Sequence, residues 1–425
     1  MAMTGTIVEE IARVLDRVDA DEWNCVSEVL RERALDQAAQ LDRRIAAGHA
    51  VPPLTGTPYV IKSLFDVNGV QTMAGGPAAT GMPVADDDAR LVRELTAAGA
   101  ILVGIAQMDE YAYGFLGNNP HHGRVLNPLN RMRITGGSSS GSAAAVAAGI
   151  VPFAVGSDTN GSVRVPAAFC GIFSLKPTYG CLPLAGSMPL AQSLDHAGLL
   201  ADSLDTLASV WLALDSGGSR PEALRKPVPG FASGDYCDFS STPVRAAFAD
   251  IRSQWPDRPE VVLTHVEESV ATSALLTAFE AATNHTARLR DHPELYSDAV
   301  AQRLAAGALI RASDYELAKL SQDRIGRAVC EIFDTWEIDV LVAPAVPVNG
   351  LGLDEACVIL NDSEVKAADA AGLFTRPFSL TGLPILTVPA AVDDRVGPST
   401  ALQLIGRRGE EPTLFAFARE LLRRG

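Results

Sequence analysis

The sequence predicts an α/β protein, and three observations predict it. Short apolar runs of strand length alternate with helical patterns along most of the chain. With 425 residues, 47% of them hydrophobic and 20% charged, the chain exceeds the usual size of a single core and carries no compositional sign of extended disorder. It therefore folds as two domains or as one large layered unit. No repeat of fixed period and no low-complexity segment interrupts this pattern.

The elements follow in order. Ile7, Ile11, Val14, Leu15 and Val18 form one apolar stripe at helical spacing, and a second amphipathic run over 27–46 predicts another helix. A loop rich in Pro and Gly (51–58) leads into the apolar run 58–62, read as a buried strand that ends on Lys62. A helix is expected at 89–98 and again at 201–214. Strands are expected at 101–105, 150–155, 172–175, 340–343 and 385–388. Residues 215–243 are dense in Gly, Pro and Ser and predict a long surface excursion, the best candidate for a subdomain seam.

Charge and cysteine content narrow the function. A net charge of -16 repels nucleic acid phosphates and anionic membrane surfaces, and no basic patch stands out along the chain to override it. No apolar run reaches the roughly 20 residues that a spanning helix needs. The first 23 residues mix acids with apolar residues, unlike a signal or transit peptide, so a cytoplasmic protein is expected. Its six cysteines are scattered without CxxC pairing and read as reduced thiols; no metal site is expected.

Three stretches carry chemistry. In GGSSSGSAAAVAAG (136–149), small residues open an Ala-rich segment of high helix propensity, so backbone N–H groups and hydroxyls meet at a helix start. Alone it reads as a tight turn with an N-cap, or as a flexible linker. A phosphate loop would need a Gly-Lys-Ser/Thr after the glycines. Residues 137–141 also match the G-x-S-x-G nucleophile elbow, but that reading needs a delivered histidine, and His265, His285 and His292 lie in ordinary polar context. In the second stretch (156–178), Thr159, Asn160, Gly161 and Ser162 place consecutive N–H groups on one turn. That turn is either a plain helix cap or an oxyanion hole whose last residue carries a hydroxyl. The third element is Lys62. Lysines at strand ends are usually solvated, but one drawn into a desolvated site has a lowered pKa and can act as a base.

In their order along the chain these stretches resemble the amidase signature family, through TGTPYVIKSLFDVNGV, the long segment from Gly136 to Gly180, and SLDHAGLLADSLDTLA. The likeness extends to MDEYAYGF (108–115), DVLVAPAVP (339–347), TGLPILTVPAAV and LQLIGR. It spans nearly everything from Thr55 onward and is weakest over 215–303. The resemblance implies an α/β fold with a large mixed twisted β-sheet surrounded by α-helices. Residues 1–50 would pack as a helical segment on a catalytic domain of 51–425, with a variable excursion at about 215–303. It implies Lys62 as base, Ser138 as a bridging serine on a cis peptide, and Ser162 as nucleophile. The oxyanion donors fall on Thr159, Asn160, Gly161 and Ser162, with Ser139 and Asp158 in support. Neither a metal nor an organic cofactor is implied.

Three positions depart from the family pattern: Ser140 stands for a second glycine, Ser63 for the acid after the lysine, and Asn160 for the first glycine of the oxyanion loop. Asn160 together with GLFTRPFSLTG (372–382) looks more like the carboxybiuret hydrolase branch, which implies a small amido or ureido carboxylate as substrate. Arg376 and Arg124 are the candidate cations for its carboxylate, and Tyr113 a candidate pocket wall with Tyr111 and Phe115. The alternative is the glutaminase subunit of a tRNA-dependent amidotransferase, in which an acid lies near the position of Gly372; here it is missing. A catalytically silent scaffold is a third reading, opposed by the intact Lys62, Ser138 and Ser162. By the same analogy the chain works as a homodimer or with a small helical partner. Arg164 reads as structural, His196 as satisfying a loop, and the adjacent His121 and His122 as no metal pair.

Overall fold

The computed structural model describes residues 5–77, 84–214, 225–393 and 397–424. Its strands are β1 (Val26–Val29), β2 (Pro58–Lys62), β3 (Ile101–Ala106), β4 (Asn118–Asn119), β5 (Gly123–Arg124), β6 (Phe153–Asp158), β7 (Phe173–Lys176) and β8 (His196–Ala201). They continue with β9 (Pro229–Gly234), β10 (Glu260–Leu263), β11 (Val340–Pro344), β12 (Cys357–Leu360), β13 (Ser363–Lys366), β14 (Ile385–Asp393) and β15 (Gly397–Gly406). The helices of the first half are α1 (Ile7–Asp19), α2 (Arg31–Ala46), α3 (Arg90–Ala97), α4 (Ser140–Ala147), α5 (Arg164–Cys170) and α6 (Leu204–Leu214). Those of the second half are α7 (Asp235–Asp238), α8 (Thr242–Ser253), α9 (Val266–Asp291), α10 (Asp298–Ala308), α11 (Ala312–Thr335), α12 (Ala367–Ala371), α13 (Arg376–Ser379) and α14 (Glu411–Arg424).

Eleven strands form one mixed sheet in the order β1-β3-β2-β6-β8-β7-β14-β15-β11-β9-β10, and β4–β5 and β12–β13 are small separate hairpins. The expected α/β architecture with a large mixed sheet is what the chain adopts. Strand alternation decides which side chains meet the helices. Along β2, Tyr59 and Ile61 enter the cluster that holds α3, α6 and α14, whereas Val60 packs with α1, α2 and the alanines of α4. Lys62 therefore falls on the Val60 side, the side of α4.

The apolar stripe of α1 is buried as its spacing predicts, and a capping box between Thr6 and Glu9 starts the helix. Its neighbour differs from expectation. The run 27–46 is not all helix: Val26–Val29 is an edge strand, antiparallel to β3, and α2 begins only at Arg31. Tertiary pairing overrides the local pattern there, and Gly104 permits it, since a Cβ at that position would lie 2.9 Å from Glu28 O. The excursion of 215–243 is also revised. Residues 215–224 lie outside the described part, but Pro229–Gly234 is an interior strand, parallel to both β10 and β11. Its small residues mask it as loop, because Gly230 leaves room for Ile338 and Val261. At 150–155 and 201–214 the expected elements exist with later starts, at Phe153 and Leu204, and Ala201 closes β8 instead. Among the described residues no helix is long and apolar enough to cross a membrane.

Candidate active site

Lys62 closes β2 with its side chain fully buried. Its Nζ lies 2.7 Å from Ser138 Oγ and 2.8 Å from Ser157 Oγ, with Ser157 O at 3.4 Å. Burial lowers the ammonium pKa from 10.5 to about 7, against the opposing charges of Asp109, Asp158 and Asp195. Ser138 sits just before α4, and the Gly137–Ser138 peptide bond is cis. The helix that follows is buried from Ser140 to Val146, and Gly141 lets it approach the β3 end, since a Cβ there would meet Cys25 O and, at 2.5 Å, Gln107 N.

Ser162 lies on the turn between β6 and α5, 3% exposed and lining the main cavity. Ser139 N–H donates to Ser162 O at 3.1 Å, so the backbones that carry Ser138 and Ser162 are tied together. The turn itself is organised by Asp158. Its carboxylate accepts from Gly161 N (2.7 Å) and Val163 N (3.2 Å), and bidentately from Arg164 Nε and Nη2, both at 2.9 Å. Burial alone would raise the Asp158 pKa, but the Arg164 charge and hydrogen bonds hold it well below the usual carboxylate range. Arg164 is fully buried and also donates to Thr375 O and Ser379 Oγ, the structural role expected of it.

The other donors of this turn are held from outside it. Thr159 Oγ1 donates to Asp195 Oδ1 at 2.6 Å, Asn160 Nδ2 to Thr277 Oγ1 at 2.8 Å, and Thr375 Oγ1 to Asn160 O at 2.7 Å. Gly161, at φ +132°, packs directly against the Thr375 side chain and has no room for a Cβ. Its amide, assigned to the oxyanion hole on the sequence, is engaged by Asp158 in this structure.

The main cavity has a volume of about 570 Å³. Ser162, Thr159 and Asn160 line it, with Tyr113, Phe115, Arg303, Lys366 and Arg376 around them. Arg376 is nearly buried, pairs with Asp369 at 3.1 Å, and lies 5.2 Å over the Phe115 ring. Arg124 does not join this cavity. It lies on the β4–β5 hairpin and lines a separate one of about 80 Å³. Tyr111 is also elsewhere, in the core, with its hydroxyl on Leu295 O and its ring against His285 and Tyr296. His196 opens β8 and is buried; its Nδ1 lies 2.6 Å from Leu194 O in the turn before the strand, the loop contact expected of it, and its Nε2 lies 3.1 Å from Lys176 Nζ.

Two contributors escape sequence reasoning. Ser157, inside the GSDTNGS stretch, contacts Lys62 as closely as Ser138 does. Its signal was its place just ahead of Asp158 on the strand beside β2, where Val155 pairs with Ile61. Arg303 reaches the cavity from α10, in a segment without motif character, and its Nη1 donates to Tyr113 O at 2.5 Å. Asp109, from the MDE stretch, accepts from Leu116 N and Gly117 N; burial raises its pKa to about 6. Among the described residues no group of three or more His, Cys, Asp or Glu is placed to hold a metal ion.

Comparison with known proteins accords with this arrangement. The profile of the Amidase family matches residues 8–233 and 251–415. Over 391 residues the chain is 37% identical to AtzE, the 1-carboxybiuret hydrolase subunit of Pseudomonas sp. (strain ADP), covering 88% of this chain and 85% of that protein. It is 31% identical to one of the subunits of the glutamyl-tRNA(Gln) amidotransferase of Cupriavidus necator, covering 98% and 93% respectively. Among solved structures it is similar to one from a vestigial protein complex bearing on the evolutionary origins of an s-triazine catabolic enzyme, with TM-score 0.93, 34% identity, and 99% and 96% of the two chains covered. A crystal structure of an amidase matches with TM-score 0.91, 32% identity, and 99% and 96% covered. This chain belongs to the amidase signature family, a hydrolase of carbon–nitrogen amide bonds.

Proposed function

We propose that the protein cleaves the amide bond of a small linear amido or ureido carboxylate, carboxybiuret-like, through an acyl-enzyme on Ser162, releasing ammonia. The observation that carries the chemistry is the buried Lys62 with Ser138 and Ser157 around its amine. A neutral amine has two N–H donors and one lone pair. Ser157 Oγ and Ser157 O accept the two N–H groups, which leaves the lone pair for the Ser138 hydroxyl. In this reading Lys62 takes a proton from Ser138 as Ser138 takes one from Ser162, whose Oγ attacks the carbonyl. The developing oxyanion is met by amides of the 159–162 turn, from Thr159, Asn160 and Ser162, while the Gly161 amide, given to Asp158, holds the turn in shape. Ser138 then returns a proton to the leaving nitrogen, and water cleaves the acyl-enzyme by the same relay.

Two observations favour an anionic substrate. The relative at 37% identity belongs to a carboxybiuret hydrolase, and Arg303 and Arg376 both face the cavity. The amidotransferase glutaminase reading is the second one, supported by the 31% relative. Against it, Gly372 has no side chain to hold an amino group, and a Cβ there would lie 2.9 Å from Phe115 and 3.2 Å from Arg376 Nε. A homodimer, or an assembly with a small helical partner, belongs to the same proposal, since the similar structure comes from a protein complex. The cytoplasm is its proposed compartment.

Ammonia release by purified protein and by Ser162→Ala, over biuret derivatives, malonamate, glutamine and neutral amides, tests the reading. Activity on an amido or ureido acid that disappears in Ser162→Ala supports it. Activity on glutamine alone moves the assignment to the amidotransferase branch, and full activity in the variant overturns Ser162 as nucleophile.

A further inference from the structure

A second cavity, of about 500 Å³, shares no lining residue with the one that holds Ser162. Four cationic side chains line it, Lys319, Arg327, Arg407 and Arg408, with one carboxylate, Asp323. On a chain of net charge -16 this is a local reversal of sign. Two of the cations have partners. Arg407 pairs with Asp334 at 2.7 Å and lies 5.3 Å over the Phe333 ring, and Lys319 donates to Gln322 Oε1. Among the described residues Arg327 and Arg408 have neither an ion-pair nor a hydrogen-bond partner. Two unpaired guanidinium forks at one concavity are donor sets without an acceptor.

The cavity floor is held in place. Tyr179 donates its hydroxyl to Gln192 O at 2.6 Å and its amide to Gly382 O at 2.9 Å, and its ring meets His196 edge-on at 5.2 Å. Gly382 has φ +65°, and a Cβ there would lie 3.0 Å from Tyr179 Cβ and 3.3 Å from Arg408 Nη2. The glycine thus lets the ring and the guanidinium approach the same backbone. Gln322 fixes the opposite wall through Leu380 O at 3.3 Å. The volume suits a small organic molecule.

We propose that this cavity binds a small polyanion carrying phosphate or carboxylate groups, held by the guanidinium forks of Arg327 and Arg408 and flanked by Lys319 and Arg407. The proposal is independent of the active-site assignment. The two sites are nonetheless joined through the backbone, because the wall at Leu380 continues directly from α13, whose Ser379 accepts from Arg164 beside the Ser162 turn.

Calorimetric titration of the full-length protein at low ionic strength, with pyrophosphate and separately with citrate, tests it. The proteins compared are wild type, R327A/R408A and Arg303→Ala, the last as a control for anions entering the active-site cavity. Both arginines of the double variant are exposed, so its thermal melt should match wild type. Saturable binding that weakens at least tenfold in R327A/R408A and is unchanged in Arg303→Ala is the expected result. A preference for pyrophosphate would identify phosphate as the recognised group, and one for citrate would identify carboxylate. No saturable binding of either anion, equal affinity in the double variant, or loss in Arg303→Ala instead, would each overturn the proposal.

Discussion

Replacing Lys62 by methionine should abolish turnover and at the same time change how stability depends on pH. The native lysine is held at about 7 by burial, against 10.5 for the free side chain. Between those values the unfolded chain binds a proton that the folded chain does not, so wild-type stability rises with pH across that window. The penalty is fully present below the folded value and disappears as pH passes 10.5. At about 1.36 kcal/mol per pKa unit, linkage gives a cost of about 4 kcal/mol at pH 7 and about 2 kcal/mol at pH 9. Methionine has no such cost but loses the contacts to Ser138 and Ser157, worth about 1 kcal/mol each. The variant should therefore be more stable than wild type by about 2 kcal/mol at pH 7 and near parity at pH 9. For a chain of 425 residues that difference is about 2 °C in melting temperature. The assay is paired thermal melts of both proteins at the two pH values. An equal difference at pH 7 and pH 9 would refute the idea that Lys62 is held neutral in the fold.

Four further outcomes follow from the same geometry. The rate kcat/KM should rise with pH along a limb centred near 7, as Lys62 gives up its proton; a pH–rate profile whose limb sits near 10 contradicts this. Ser157→Ala removes one acceptor of the lysine amine and should lower kcat roughly tenfold while leaving KM near its wild-type value, as read by steady-state kinetics. Asp158→Asn strands a fully buried guanidinium and should cost about 3–5 kcal/mol in urea unfolding, whereas Asp369→Asn, where the carboxylate is half-exposed and only Arg376 is nearly buried, should cost less, about 1 kcal/mol. Gly141→Ala drives a methyl into the backbone of Cys25 and Gln107 and should destabilise by about 1–3 kcal/mol, measured the same way.

Much of this was legible because local signals and tertiary contacts agreed. The stripe of α1, the strand 58–62 and the placement of Lys62 at its end needed only periodicity and the residues themselves. The motif segment 136–178 singled out Ser138, which lies on Lys62, and Ser162, which lines the cavity, because small residues and a long specific match mark them. Failures came where partners far along the chain decide. Val26–Val29 is a strand only because β3 offers an edge to it. Pro229–Gly234 hides as loop because its buried neighbours demand small side chains. Ser157 becomes a lysine ligand through the register of β2 beside β6, and Arg303 reaches the pocket through the placement of α10. The basic cavity was invisible for the same reason: its cations come from 319–327 and 407–408, and each cluster alone is ordinary helix or turn.

The placement of the elements also separates the lysine–serine cluster from part of the cavity wall. Lys62, Ser138, Ser157 and Ser162 come from β2, the start of α4, β6 and the turn after it, all in the first half of the chain. Around that cluster the cavity wall is drawn from both halves: Tyr113 and Phe115 follow β3, whereas Thr277, Arg303, Lys366 and Arg376 arrive from α9, α10, β13 and α13. The second-half walls share no element with the lysine and the serines, so substitutions there can reshape the cavity with the Lys62 cluster left in place. That makes α9 through α13, together with 113–115, the positions to randomise in an attempt to evolve this chain toward another amide.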